Sequence, residues 1–435
     1  MQTRRDFLRT AALTAAASAV GTVGAPKFAF AQEAGTKTLV KVFMRGGADG
    51  LHLFPRFGDM TYFNVRPNIA IEAPSNDPNS ALDLGHPIRG MNPNMAAMME
   101  IWESGRMMVA PSAALEEGNR SHFDCQRWIG TGMRNNLVDG YLNRYLQAVN
   151  ATDHPLRGAS LGKSSIATEM RGEIAVPAVS SAGGFDVRSG DFCSGSGCAE
   201  NRLTEMMREV SSHEVDLPEA EARVREQQIV LVDTIAEIQA AGADYTPSAG
   251  GLDYSGSPLG RGLRLTAQLL KAGVPLSVAS LDWNIGWDTH SNQIADGADR
   301  FVDQNKGYHR NMTAGATDFL TFWRDISELR DDVVVLVGSE FGRTVYENGN
   351  EGTDHGHGGA WFAFGGPTVG GMAAEDVASL DDSNLERGRY MPNLIDYRDI
   401  VSEIMIRHMG LPEAMIGTVL PGINVTNRNL FTRVA

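Results

Sequence analysis

The sequence predicts an α/β fold, with a mainly parallel central sheet and helices on both of its faces. Short apolar runs rich in β-branched residues recur along it, such as Val333-Val334-Val335-Leu336-Val337, each too short for a typical helix and bounded by turn residues. Longer segments with helical character separate these runs, and alternation of that kind implies parallel strands joined by crossover helices. Neither an internal repeat nor a clear linker interrupts the pattern, so one α/β domain over residues 32–435 is the economical reading.

Thr38 to Met44 reads as the first strand and ends in the turn Arg45-Gly46-Gly47-Ala48-Asp49-Gly50. Pro93 to Gly105 reads as a helix, and Arg106 to Ala110 as a second short strand. Ser121 is a good N-cap for a helix that begins at His122, with Asp124 at its third position. Residues 158–198, rich in Gly and Ser and without helical period, predict an insertion or lid rather than sheet. Ala199 to Ala241 is strongly helical, with a break at Leu217-Pro218. Leu259 to Ala272 is a helix stopped by Gly273 and Pro275, and Leu276 to Leu281 is a strand. A long helix or helix pair fills Ala298 to Leu329 and leads into the strand at Val333. Ala360 to Phe364 is one more strand, and Tyr397 to Met409 a late helix before Gly410 and Pro412.

The composition is globular: 435 residues, 42% hydrophobic and 21% charged, which provides ample core. At the N-terminus, Thr3-Arg4-Arg5-Asp6-Phe7-Leu8-Arg9 precedes an Ala/Thr/Val-rich stretch from Ala11 to Val23. Ala29-Phe30-Ala31 then offers a small-x-small cleavage site. This order reads as a twin-arginine export signal over residues 1–31, with an apolar core too short to span a membrane. The expected destination is the periplasm or the exterior, and the first partner the twin-arginine export machinery, which carries folded proteins that often hold a metal or cofactor. Cleavage removes Arg4, Arg5, Arg9, Lys27 and Asp6, so the net charge moves from −15 to −18. That balance argues against nucleic acid or an anionic membrane as a partner. Cys193 and Cys198 are spaced to close a small disulfide in an oxidising compartment, while Cys125 reads as a buried hydrophobe.

Chemistry-bearing residues follow the predicted strands. Asp49 follows the first, Asn119-Arg120-Ser121-His122 the second, Asp288 and His290 the one near Val278, and Glu340 the one from Val333, while His355 and His357 precede the last. Open α/β sheets bind ligands at the carboxyl ends of their strands, so these residues converge although sequence separates them. Carboxylates mixed with imidazoles suit a divalent cation, and Asp49, Asp288, His290, Glu340, His355 and His357 are the metal candidates. Such a cation lowers the pKa of a water or hydroxyl and neutralises a transferring oxyanion. Ser121, at a helix N-terminus, fits a nucleophile, and Arg120 or Arg343 fits a clamp for a tetrahedral oxyanion.

Simpler readings stand beside these: Asp49 as a turn residue, Asp288 as a cap, Ser121 as an N-cap only, and Glu340 as the ion partner of Arg343. Two histidines in a glycine-rich loop have no packing motive, whereas His52, His86, His154, His213, His309 and His408 read as ordinary surface or core residues. Gly46 to Gly50 lacks the spacing of a dinucleotide fingerprint, and no Gly-x-Ser-x-Gly elbow has a strand–turn–helix context.

Arg-Gly-Gly-Ala-Asp-Gly-Leu (45–51), Asn-Arg-Ser-His-Phe-Asp (119–124), Trp-Asp-Thr-His (287–290), Ser-Glu-Phe-Gly-Arg-Thr (339–344) and Thr-Asp-His-Gly-His-Gly-Gly (353–359) together resemble the DUF1501 family of exported bacterial proteins. The resemblance runs from about residue 38 to the C-terminus. That family is similar in fold to the alkaline phosphatase and sulfatase superfamily, which implies a metal-dependent hydrolase of phosphate or sulfate esters. By this resemblance Asp49 matches the first-strand metal aspartate, Ser121 the nucleophile, Asp288 and His290 the metal pair, and His355 or His357 the late histidine ligand. The superfamily usually carries Asp-His where this chain has Glu340-Phe341, and phenylalanine cannot bind a metal. A one-metal site, a calcium or manganese site rather than two zincs, or a second histidine taken from the 354–357 loop all remain open. The expected function is hydrolysis of a small or polymeric ester; the alternative is a catalytically inactive binding or assembly module of the same fold.

Overall fold

The computed structural model describes residues 36–181, apart from 117, 135–137 and 152–153, and residues 245–432, with a few isolated positions between 209 and 241. Strands are β1 (Thr38–Met44), β2 (Leu82–Asp83), β3 (Gly90–Met91), β4 (Met107–Ala114), β5 (Gly158–Leu161), β6 (Ala178–Val179), β7 (Val278–Asp282), β8 (Val333–Ser339), β9 (Gly359–Gly365), β10 (Gly371–Met372) and β11 (Ile395–Asp396). β2 and β3 form a separate antiparallel pair. The others build a nine-stranded sheet in the order β10-β4-β9-β8-β1-β7-β5-β6, with β11 also paired to β4. β9 runs antiparallel to β4 and β8, and every other pairing in this sheet is parallel. β1, β4, β7 and β8 therefore deliver their carboxyl ends to one edge, and the loop before β9 enters from that same edge.

Burial on both faces explains why the central strands are apolar throughout. Val40, Val42 and Met44 of β1 and Val333, Val335 and Val337 of β8 enter one core. Leu39 and Phe43, with Val334 and Leu336, enter the other. The first core is covered by helices α3 (Pro258–Lys271) and α4 (Gly307–Asp325), and the second by α1 (His122–Thr131), α2 (Tyr141–Ala148) and α5 (Tyr397–Glu403). Burying one such aliphatic side chain is worth roughly 1.5–3 kcal/mol, which makes Lys41 in β1 the exception. Its ammonium lies 4.4 Å from the centre of the Trp361 ring, and burial pulls its pKa down to about 7.

Helix ends follow local chemistry. The Ser121 hydroxyl accepts from the Asp124 amide, and Gly132, at φ 72°, closes the far end of α1 in the left-handed conformation. Ser257 caps α3 with Pro258 in its first turn, and the Asp396 side chain caps α5.

One expectation is corrected. Residues 158–161 and 178–179 are strands of the main sheet, not an insertion or lid, since β5 pairs with both β7 and β6. Their small residues serve close approach rather than a loop. A Cβ on Gly158 would come within 2.7 Å of Leu146 in α2, and one on Gly162 within 2.2 Å of the Pro258 carbonyl at the start of α3. The signal peptide, the Cys193–Cys198 pair, His213 and nearly all of the 199–241 helix lie outside the described residues. Cys125 is buried and unpaired, and among the described residues no helix is long and apolar enough to cross a membrane.

Candidate metal centre

Four side chains from three loops meet at the carboxyl edge of the sheet. α1, which begins after β4, contributes His122; the loop after β7 contributes Asp288 and His290; and the loop entering β9 contributes His355. His355 Nε2 lies 3.0 Å from the Nε2 of His122, 3.0 Å from that of His290 and 3.1 Å from Asp288 Oδ1. The same Asp288 oxygen is 3.1 Å from His290 Nε2 and 3.4 Å from His122 Nε2. Donors held about 2.0–2.1 Å from a tetrahedral ion stand roughly 3.3 Å apart, so the spacing of His122, Asp288 and His355 fits a single cation, and His290 stands within 3.1 Å of the latter two.

The far side of each imidazole assigns its tautomer. His122 Nδ1 donates to Glu340 Oε1 at 2.7 Å, His290 Nδ1 to Asp354 Oδ1 at 3.0 Å, and His355 Nδ1 to the Arg120 carbonyl at 2.8 Å. Each partner accepts only, so in the neutral rings the Nε2 atoms carry lone pairs. The Nε2 lone pairs of His122 and of His290 each lie 3.0 Å from that of His355, beside a carboxylate oxygen, which is repulsive unless a positive charge sits among them. Orienting a metal-binding imidazole through its other nitrogen is what such outer partners do.

The surroundings reinforce this. Burial alone would raise the Asp288 pKa, but the Arg343 guanidinium at 2.7 Å and the charge of the neighbouring histidines hold it below the usual carboxylate range. The hydrogen bond that His122 donates to Glu340 raises the His122 pKa. Burial lowers that of His355, against the pull of its bond to the Arg120 carbonyl. Phe341 packs under both rings, with centroids 4.9 Å from His122 and 5.0 Å from His355. Gly47, at φ +66°, lets the turn after β1 press on that phenyl ring, where a Cβ would sit 2.4 Å away. Gly356 separates the two loop histidines because a Cβ there would lie 2.3 Å from the Arg343 carbonyl. The Asp288 and His290 side chains are both 46% exposed, so solvent reaches the centre.

The model of DUF1501, described as a protein of unknown function, matches residues 91–411, about three quarters of the chain. The chain belongs to the DUF1501 family. No curated protein matches it. All four residues of the cluster lie within the matched DUF1501 segment.

In this DUF1501 chain two of the six metal candidates, Asp288 and His355, share a possible ligand group with His122, which sequence reasoning passed over, and a third, His290, lies within 3.1 Å of both. The available signal was its place in Asn-Arg-Ser-His at the end of β4, where Ser121 drew the attention. The other three metal candidates are corrected. Asp49 is buried against Arg66 at 2.7 Å, accepts from Gln293 at 2.9 Å and caps the short helix Gly50–Leu53, so its oxygens are already used. Glu340 Oε1 takes hydrogen bonds from the Gly46 amide, Gln126 and His122, and therefore acts through His122 rather than on a metal. Both ring nitrogens of His357 face oxygen acceptors, the Leu115 carbonyl and the Glu386 carboxylate, and neither turns toward the cluster.

Among the catalytic candidates, Arg343 has a fully buried side chain committed to Asp288 and Thr353, which makes it a positioning residue and not an oxyanion clamp. Ser121 stands beside His122 as the helix cap, and its hydroxyl hydrogen has no acceptor among the described residues. The Arg120 guanidinium lies 4.7 Å from the centre of the Tyr390 ring, the residue borders a pocket, and its carbonyl holds His355. Of the remaining histidines, His52, His309 and His408 are buried in the core, and His86 and His154 are partly exposed, as the sequence reading expects.

Glu340→Gln keeps the size of the side chain and removes its charge. Metal affinity measured by competition with a chelator is expected to fall by about 10–100-fold, the usual effect of losing such an outer partner. A change smaller than twofold would show that Glu340 does not tune His122.

Proposed function

We propose that this chain is an exported hydrolase of phosphate or sulfate esters that works with one divalent ion. The observation that carries the reading is the cluster of His122, Asp288 and His355, with His290 beside it, at a solvent-exposed place on the carboxyl edge of the sheet. His122, Asp288, His290 and His355 would hold the ion. Asp49, Glu340 and His357 are engaged elsewhere, which favours one metal over two. Three nitrogens and one oxygen suit zinc better than manganese, and calcium least, since calcium selects oxygen ligands. When bound, such an ion supplies Lewis acidity toward an ester oxyanion and acidifies water.

The chain's own residues supply the rest. Arg343 and the three partners of the imidazoles fix the donors in place. Arg120 offers a guanidinium to an anionic substrate, and either Ser121 or a water is the nucleophile. The resemblance to the alkaline phosphatase and sulfatase superfamily supports the substrate class, with small or polymeric esters as candidates. The twin-arginine motif supports export, already folded, to the periplasm or beyond. Neither nucleic acid nor a membrane is a partner on this reading.

One observation favours an inactive binding module: His290 stands beside His122, Asp288 and His355, so the protein's own donors would fill a four-coordinate ion, as in closed structural sites. Elemental analysis of the mature chain purified without added metal, followed by a panel of aryl phosphates and sulfates, separates the two. The hydrolase reading expects close to one zinc per chain, and turnover that a chelator abolishes and zinc restores. Metal without turnover would favour the binding module, and absence of metal would sink both.

A further inference from the structure

Beside the metal centre lies a second concavity of about 540 Å³, a size typical of small-ligand sites. Gly118, Arg120, Arg134, His357, Glu386 and Arg387 are among the residues that line it, so three arginines from three separate segments border one pocket. The chain as a whole carries a net charge of −15, which makes that concentration of positive charge unusual. No described acid forms an ion pair with Arg120 or Arg387, whereas Arg134 lies over the Trp128 ring at 4.8 Å and has a further partner. Glu386 brings the one carboxylate among these lining residues, and it is bonded to His357 Nδ1.

Two of the arginines stand on backbone that side-chain-bearing residues rarely adopt. Arg120 has φ 63° and Arg387 φ 54°, and such conformations persist only where the surroundings impose them. For Arg120 one imposing contact is visible, because its carbonyl accepts from His355 Nδ1, the nitrogen opposite the metal-facing one. The same residue thus orients a metal ligand with its main chain and lines the pocket with its side chain. His357 on the pocket wall is two residues from His355, a span of at most about 7 Å of extended chain.

We propose that the pocket of Arg120 and Arg387 is an anion-recognition site that takes a second acidic group of the substrate, beside the scissile ester at the metal centre. Guanidinium forks match the planar edges of carboxylate, sulfate and phosphate, and pairs of them select for such groups over neutral ones. The preferred substrate is then an ester carrying a carboxylate, sulfate or phosphate close to the bond that breaks, as in an acidic glycan or a bisphosphorylated small molecule. The identity of the anion's carrier rests on the hydrolase reading; the pocket's affinity for an anion does not.

Calorimetric titration of the metal-free mature chain with inorganic sulfate at low ionic strength tests the site without the metal, since salt screens exposed arginines. Sulfate is expected to bind the wild-type chain and His290→Ala alike, and at least tenfold more weakly to Arg120→Gln and Arg387→Gln with unchanged melting curves. Equal affinity in all four proteins would overturn the site. In the zinc-loaded chain, an aryl ester with an added carboxylate is expected to show a KM at least tenfold below that of its neutral analogue. Arg387→Gln should erase that difference by raising the KM of the carboxylated ester. Equal KM values for the two esters, with sulfate binding still dependent on the arginines, would overturn the substrate role in favour of a free-anion site. Absence of turnover alongside arginine-dependent sulfate binding would sink the hydrolase reading and sustain the anion site.

Discussion

His355→Ala is expected to empty the metal centre while His357→Ala, two residues away, leaves it filled. His355 Nε2 is the hub of the cluster, within 3.1 Å of two imidazole nitrogens and the Asp288 oxygen. Losing even an outer partner of a metal ligand costs 10–100-fold in affinity, so losing the central ligand should cost at least about 100-fold. His357, by contrast, spends its nitrogens on Leu115 and Glu386. The measurement is metal stoichiometry after dialysis, with the thermal shift on adding zinc as a second reading. A ligand at a thousand times its Kd stabilises the folded state by about 4.1 kcal/mol, and that increment should vanish in His355→Ala alone. If both variants keep one equivalent of metal, or both lose it, the centre is misassigned.

Glu340-Phe341, the place where this chain departs from the Asp-His of the superfamily it resembles, has a physical role at that centre. Glu340 holds His122 from behind, and Phe341 supports the His122 and His355 rings from below. A second metal ligand at position 341 would have to leave that packing, and Gly47 closes the space under it. The pair therefore fits the proposed one-ion arrangement, in which the aromatic ring would hold ligands in place rather than add one.

The β-branched runs of β1 and β8 were legible in the sequence because both faces of those strands are buried, leaving no polar alternation to confuse them with helix. β5 was not legible, since Gly158-Ala159-Ser160 is kept small by the helices pressing on it and so looks like a loop. At the site, Asp288, His290 and His355 could be read because strand ends gather ligands. His122 was hidden behind a serine with an equally good reason to be there. Asp49, Glu340 and His357 are of the right types in the right places, yet each is claimed by a partner: Arg66, His122 or Glu386. Residue type and strand-end position define the candidates for a site, but competition for their lone pairs decides among them, and that competition exists only in three dimensions.

Arg66→Met is expected to destabilise the fold by about 3–5 kcal/mol, the cost of leaving a buried charge without its partner. The Arg66 and Asp49 side chains are 0% and 1% exposed, and the guanidinium also donates to the Thr344 and Val345 carbonyls just past β8. Burial by itself would raise the Asp49 pKa; the charge and hydrogen bonds of Arg66 outweigh it and hold the carboxyl below its usual range. A carboxyl with a depressed folded pKa contributes stability in full above its unfolded value, about 3.9, and loses it as pH falls through the folded value. The gap between wild type and Arg66→Met in urea midpoints should therefore be full at neutral pH and shrink only in acid. Asp49→Asn combined with Arg66→Met should cost less than Arg66→Met alone, because no buried charge is then left unpaired. Folded Arg66→Met should still bind one equivalent of metal, because its partner Asp49 is not a ligand. A loss below 1 kcal/mol would mean that solvent reaches the pair, and a folded variant without metal would return Asp49 to the metal centre.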